Sequence, residues 1–125
     1  MTNKVHTDMA PAAIGPYTQA IVKDSFVFTS GQIAIDPAAG DIVAETIEGQ
    51  TEQVCKNLAA VLEKAGSDME HVVKTVCFLY NMSDFAAFNG VYGKYFTGKP
   101  ARSCVAVKDL PKGALVEIEV IAERV

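Results

Sequence analysis

An arginine interrupts a run of small and apolar residues at Pro100-Ala101-Arg102-Ser103-Cys104-Val105-Ala106-Val107. Guanidinium is permanently charged and presents a planar fork of donors, so a partly buried Arg102 can anchor the carboxylate of a small acid through two parallel hydrogen bonds. Its alternative partner is internal, Glu117 or Glu119 in the segment Val116-Glu117-Ile118-Glu119. Glu117 lies beyond the turn signal Leu110-Pro111-Lys112-Gly113, and a hairpin there would return its carboxylate to the Cys104 strand. In such a place a carboxylate orients water or passes a proton once burial has tuned its pKa. The plainer reading is a solvated glutamate on an edge strand. Cys104 is a possible nucleophile, yet no histidine stands in sequence where an activating base belongs, and an unassisted thiol is only a few per cent ionised at neutral pH. Tyr17, Ser30 and Asn89 are polar residues beside apolar segments, where each taken alone is more often a turn or capping residue than a ligand contact.

The elements that must position these groups can be read from the pattern. Tyr17 to Val22 and Phe26 to Ser30 read as strands around the polar trio Lys23-Asp24-Ser25. Gly31 and the run Asp36-Pro37-Ala38-Ala39-Gly40-Asp41 punctuate the next stretch, so an irregular loop is expected there. From Glu48 to Ala65 the residues Val54, Leu58, Val61, Leu62 and Ala65 form one apolar helical stripe, with Gly66 placed to stop it. Val72 to Tyr80 reads as a strand buried on both faces. Ser83 is a candidate cap for a second helix bearing Phe85, Phe88, Tyr92, Tyr95 and Phe96, a stripe that outweighs the helix-weakening Gly90 and Gly93. Two further strands, Ser103 to Val107 and Ala114 to Ala122, complete the order ββαβαββ.

That order predicts an α+β sandwich, one sheet with both helices on one face. In the last strand Val116, Ile118 and Val120 alternate with Leu115, Glu117, Glu119 and Ile121. The face without helices therefore mixes apolar residues with carboxylates, as suits a subunit interface enclosing a polar site.

Composition narrows the function. A chain of 125 residues, half of them apolar or aromatic, fits one folded domain spanning residues 1–125. A formal charge of −4 with scattered cations argues against a binder of phosphate backbones. Met1 to Asp8 contain no apolar signal core and no stretch approaches the roughly 18 apolar residues of a membrane span, so a cytoplasmic location is expected. Cys55, Cys77 and Cys104 are odd in number and far apart, which suits reduced thiols. His6 and His71 are isolated from one another and from any cysteine pair, and no metal site is expected.

Four separated blocks resemble the reactive-intermediate deaminase (RidA/YjgF) family. They are Ala10-Pro11-Ala12-Ala13-Ile14-Gly15-Pro16-Tyr17-Thr18-Gln19-Ala20, Phe28-Thr29-Ser30-Gly31-Gln32-Ile33, Phe85-Ala86-Ala87-Phe88-Asn89, and the signature from Pro100 through Leu110-Pro111-Lys112 to Glu119. The resemblance implies a chorismate-mutase-like fold and a homotrimer with a central barrel-like core and clefts between subunits. It implies that Arg102 holds a substrate carboxylate, that the Cys104 backbone and Glu117 position water, and that Tyr17, Ser30, Gly31 and Asn89 shape the pocket. The implied reaction is hydrolysis of 2-iminobutanoate and 2-iminopropanoate, the latter formed from 2-aminoacrylate, to 2-keto acids and ammonia. No cofactor is implied for this chain, although pyridoxal-phosphate dehydratases upstream release such intermediates. The segment Gly90 to Ala101 is shorter than in many family members, which bears on substrate preference. A non-catalytic sensor of 2-keto acids such as 2-oxobutanoate is the competing reading; ribonuclease and chaperone-like roles are more distant.

Overall fold

Regular elements form where the apolar pattern matches the period of the structure. The computed structural model describes residues 3–125, so the first two residues of the expected domain lie outside it. Three strands, Asn3–Val5 (β1), Ala20–Lys23 (β2) and Phe26–Thr29 (β3), are followed by a small antiparallel pair, Ile35–Asp36 (β4) and Asp41–Ile42 (β5). Helix Ile47–Lys64 (α1) precedes strand Val72–Leu79 (β6), helix Phe85–Tyr95 (α2) and strands Ala101–Ala106 (β7) and Val116–Glu123 (β8). The six longer-range strands make one sheet in the order β1-β2-β3-β8-β6-β7, antiparallel except for the parallel pair β6–β7. Both the α+β class and the single helix-covered sheet are as the sequence predicts.

Helix α1 starts at Thr46, whose hydroxyl accepts from the Gly49 amide at 3.0 Å, satisfying one of the otherwise free first-turn donors. Its stripe of Val54, Leu58, Val61 and Leu62 is fully buried, and each such side chain contributes about 1.5–3 kcal/mol through removal from water. The chain then leaves the helix at Gly66, whose φ of 85° lies in the left-handed region where a Cβ is costly. In α2 the buried face is Phe88, Val91 and Tyr92, followed by Phe96. A short 3₁₀ turn, Met82–Asp84, leads into it, capped by Asn81, whose carboxamide oxygen accepts from the Ser83 amide; α2 itself follows Asp84 with no side-chain cap, so the cap expected from Ser83 is not made.

The predicted hairpin between the last two long strands is absent. Cys104 pairs with Cys77 on one side of β6, while Ile118 pairs with Cys77 on the other, so β6 lies between β7 and β8. The cause is α2, which makes a parallel crossover from β6 to β7 and leaves β7 outermost. The chain then passes through the 3₁₀ turn Pro111–Gly113 before entering β8 on the far side of β6. The first expected strand is also shorter, since Tyr17 and Thr18 stand outside β2, and the expected loop from Asp36 to Asp41 is the tip of the β4–β5 pair.

Burial alternates along β8 as the sequence predicts, with Val116, Ile118, Val120 and Ala122 beneath the helices and Glu117, Glu119 and Ile121 on the open face. Phe26 and Phe28 of β3 and Val105 of β7 are exposed; Phe28 is the register partner of Ile121 and so shares its face. No helix of the described residues is long and apolar enough to cross a membrane.

Candidate functional site

Two groups of polar residues stand out, and the sheet separates them. Thr75 pairs with Arg102 and Phe78 pairs with both Val105 and Glu117. Residues 75 and 78 of one strand point to opposite faces, so Arg102 lies on the helix side and Glu117 on the open side.

The first group surrounds Glu117. A paired bridge between Gln32 and Ile118, with bonds of 2.9 and 3.1 Å, lays the segment after β3 alongside β8. This brings Gly31 so close to Glu117 that an added Cβ would collide with the carboxylate oxygen and stand 2.8 Å from Cδ. A side chain at position 31 would therefore have to push the Glu117 carboxylate aside, whereas the backbone conformation there does not itself favour glycine. The Ser30 hydroxyl donates to the Thr18 carbonyl at 2.5 Å and its amide donates to the Gln19 carbonyl at 2.9 Å, tying Tyr17 and Thr18 to the end of β3. Around them is a hollow of about 400 Å³ bordered by Tyr17, Ser30, Gly31, Lys112 and Glu117, with Ile14 and Ile33 among its apolar walls. Burial raises the Glu117 pKa above the ordinary carboxylate value, and the neighbouring charge of Glu119 adds to the rise.

The second group surrounds Arg102. Its guanidinium carbon lies 4.8 Å from the ring centre of Tyr92, 5.4 Å from Phe85 and 6.0 Å from Phe88, all on α2. Nη1 donates to the Asn89 side-chain oxygen at 2.7 Å. The internal ion pair with Glu117 or Glu119 weighed from the sequence does not form, and Arg102 has no carboxylate partner among the described residues. A hollow of about 500 Å³ opens beside it, bordered by Tyr92, Phe96, Thr97, Lys99 and Pro100. Cys104, two residues along β7, is partly buried; desolvation raises its thiol pKa, with Arg102 acting in the opposite direction. A thiol so held stays protonated near neutral pH, which disfavours its reading as a nucleophile.

Tyr17, Ser30, Gly31 and Glu117 thus come together, as do Asn89, Arg102 and Cys104, but the two sets do not meet within one chain. Sequence reasoning missed Gln19 and the aromatic surround of Arg102. Gln19 is 1% exposed and ties down the loop leading into the first hollow: its side-chain oxygen accepts from the Thr7 amide at 2.7 Å, and its nitrogen donates to the Thr7 and Pro11 carbonyls at 3.0 and 2.8 Å. A polar residue at the start of a buried strand was the available signal. For Tyr92 the signal was its place in the aromatic stripe, which reads as core and not as a binding surface.

Comparison with known proteins places this architecture. A family model described as Endoribonuclease L-PSP matches residues 7–124. A Lactococcus lactis protein carrying the regulator name AldR is 54% identical over 115 residues, covering 91% of each chain. The chloroplastic Reactive Intermediate Deaminase A of Arabidopsis thaliana is 47% identical over 119 residues, spanning 94% of this chain and 64% of that longer protein. Among solved structures, Escherichia coli TdcF with bound serine superposes with a TM-score of 0.93 at 39% identity, covering 98% of this chain and 99% of that one.

Proposed function

The chain belongs to the Endoribonuclease L-PSP family, which includes the reactive-intermediate deaminases, and from that premise we propose that it hydrolyses small 2-imino acids to 2-keto acids and ammonia. The observation that carries this reading is the state of Arg102. A permanent cation, half-withdrawn from water, is held by three aromatic rings and a neutral amide oxygen, and no carboxylate of the described residues pairs with it. A guanidinium so held retains the donors that grip a carboxylate.

The substrate carboxylate docks on Arg102 and the imine carbon faces Glu117. Water adds its oxygen to that carbon while a proton passes to the imine nitrogen, giving a carbinolamine; the carbon–nitrogen bond then breaks and ammonia departs, leaving the 2-keto acid. Glu117 receives and returns the proton, a task suited to a carboxyl whose pKa has been raised toward the working pH. The backbone at Cys104 helps to place the water. Holding carboxylate, imine carbon and water in reacting geometry lowers the barrier by removing translational freedom. No cofactor enters these steps, and 2-aminoacrylate joins them once it has tautomerised to 2-iminopropanoate. Its source would be a pyridoxal-phosphate dehydratase.

Because Arg102 and Glu117 occupy opposite faces of the sheet, this chemistry needs two copies of the chain. A homotrimer meets that need when the edge strand β7 of one subunit borders the Glu117 hollow of the next, with the apolar open face around Phe26, Phe28 and Val105 turned inward. The bound serine in the TdcF structure supports a family cleft that accepts small amino-acid-like carboxylates.

The regulator name of one relative favours a second reading, in which the same cleft senses 2-keto acids without turnover. Generating an imino acid in situ with an amino-acid oxidase and following keto acid formation with and without the protein separates the two. Acceleration supports the deaminase; no acceleration, with 2-oxobutanoate still bound, supports the sensor. Arg102→Ala is expected to abolish the acceleration and to weaken 2-oxobutanoate by about 1.5–3 kcal/mol, roughly ten- to a hundredfold, while the fold persists. Full activity in that variant refutes the anchor.

A further inference from the structure

An arginine side chain has many rotamers, and its use as an anchor depends on which one is held. In this chain the nearest of the three rings around Arg102 is Tyr92, at 4.8 Å, and it is also the ring with a polar tie to the sheet. Its hydroxyl lies 2.8 Å from the Thr75 hydroxyl oxygen. Thr75 is fully buried in β6 and is the register partner of Arg102 itself. The same ring stacks on Phe96, with centres 4.3 Å apart and planes at 29°, and tilts against Phe88 at 5.4 Å.

These contacts fix the Tyr92 plane from the strand that carries Arg102's neighbour. We propose that Tyr92, locked by Thr75, is the positioning residue that sets the plane of the Arg102 guanidinium and so aims its free donors at the substrate carboxylate. The inference rests on the reading of Arg102 as the anchor and deepens it. The two constraints are complementary: the ring face orients the guanidinium plane, and the bond from Nη1 to Asn89 at 2.7 Å fixes its rotation within that plane. Phenylalanine would supply the face but not the tie to β6. Burial raises the Tyr92 pKa, with Thr75 and Arg102 opposing the rise, so the ring acts as a neutral phenol and leaves the cation's charge for the ligand.

The test is a set of 2-oxobutanoate affinities measured by ligand-observed NMR on the full chain. Tyr92→Leu is expected to weaken 2-oxobutanoate about tenfold, the size of a partly desolvated cation–π contact. Introduced into Arg102→Ala, the same change is expected to cost nothing further, because a residue acting through the guanidinium has nothing left to act on. A general structural role would weaken both backgrounds alike. Tyr92→Phe and Thr75→Val are each expected to weaken binding about threefold, and their combination no more than either alone, as befits one shared hydrogen bond. These two variants change little bulk and decide the matter should Tyr92→Leu not fold. Unchanged affinity in the single variants, additive losses from Tyr92→Phe and Thr75→Val, or an equal loss from Tyr92→Leu without Arg102 overturns the proposal. Unchanged affinity in Arg102→Ala alone would instead remove the anchor, a distinguishable failure.

Discussion

If each cleft takes Arg102 from one subunit and Glu117 from its neighbour, two inactive variants must repair one another. Arg102→Ala and Glu117→Gln are made separately and then co-expressed in equal amounts with different affinity tags. A cleft is whole only when its arginine comes from the Glu117→Gln chain and its glutamate from the Arg102→Ala chain. With random mixing each condition is met about half the time, so about a quarter of all clefts are whole; equivalently, each mixed ring of three carries about one. The separation that forces this arithmetic is the register: Arg102 opposite Thr75, Glu117 opposite Phe78, and those two β6 residues on opposite faces. The assay is keto acid formation from an imino acid released by an amino-acid oxidase. Each variant alone is expected to sit near background, unselected co-expressed material to recover about a quarter of parental activity, and doubly tagged material, in which every ring is mixed, about a third. Mixed assemblies no more active than the separate variants would refute the shared cleft, because residues confined to one chain cannot be complemented by a neighbour.

Two other perturbations test the glutamate half of the cleft. Gly31→Ala places a Cβ where the Glu117 carboxylate now sits and, by displacing it about 1 Å, is expected to lower kcat by up to a hundredfold with the far-UV circular dichroism unchanged; parental kcat would show that the carboxylate need not stand there. Glu119→Gln removes the like charge that is the second cause of the raised Glu117 pKa, so the acid limb of the pH–rate profile, where a basic carboxylate becomes protonated, is expected to move to lower pH. A limb that stays in place would detach Glu117 from it. The stability sign is the reverse of a salt-bridged carboxylate. Between the ordinary glutamate pKa and the raised one the folded chain binds more protons than the unfolded chain, so the raised pKa makes stability fall as pH rises through that window, and Glu119→Gln is expected to flatten the fall.

Much of the fold was legible because its signals are local. The α1 stripe from Val54 to Ala65, the stop at Gly66 and the alternation of β8 each follow from the period of one element meeting one apolar layer. The hairpin expected between β7 and β8 misled because a turn signal such as Leu110-Pro111-Lys112-Gly113 says that the chain changes direction, not which strand it next pairs with. Once α2 had carried β7 to the outer side of β6, the remaining strand position was between β6 and β3. Ser83 does not cap α2 through a similar ambiguity: both Asn and Ser accept from backbone amides two or three positions on, and here Asn81 does so at the 3₁₀ turn that precedes the helix.

The sequence by itself determined which side chains are equipped for the proposed chemistry: an arginine among small residues, a glutamate in an alternating strand, and glycine beside serine at Ser30-Gly31. Charge and hydrogen-bonding capacity are properties of residue type and need no coordinates. Tertiary structure alone decided where they stand relative to one another. Strand order places β6 between Arg102 and Glu117, and side-chain alternation puts them on opposite faces. Pairing across a sheet is set by contacts distant in sequence, in which one residue of register exchanges the two faces.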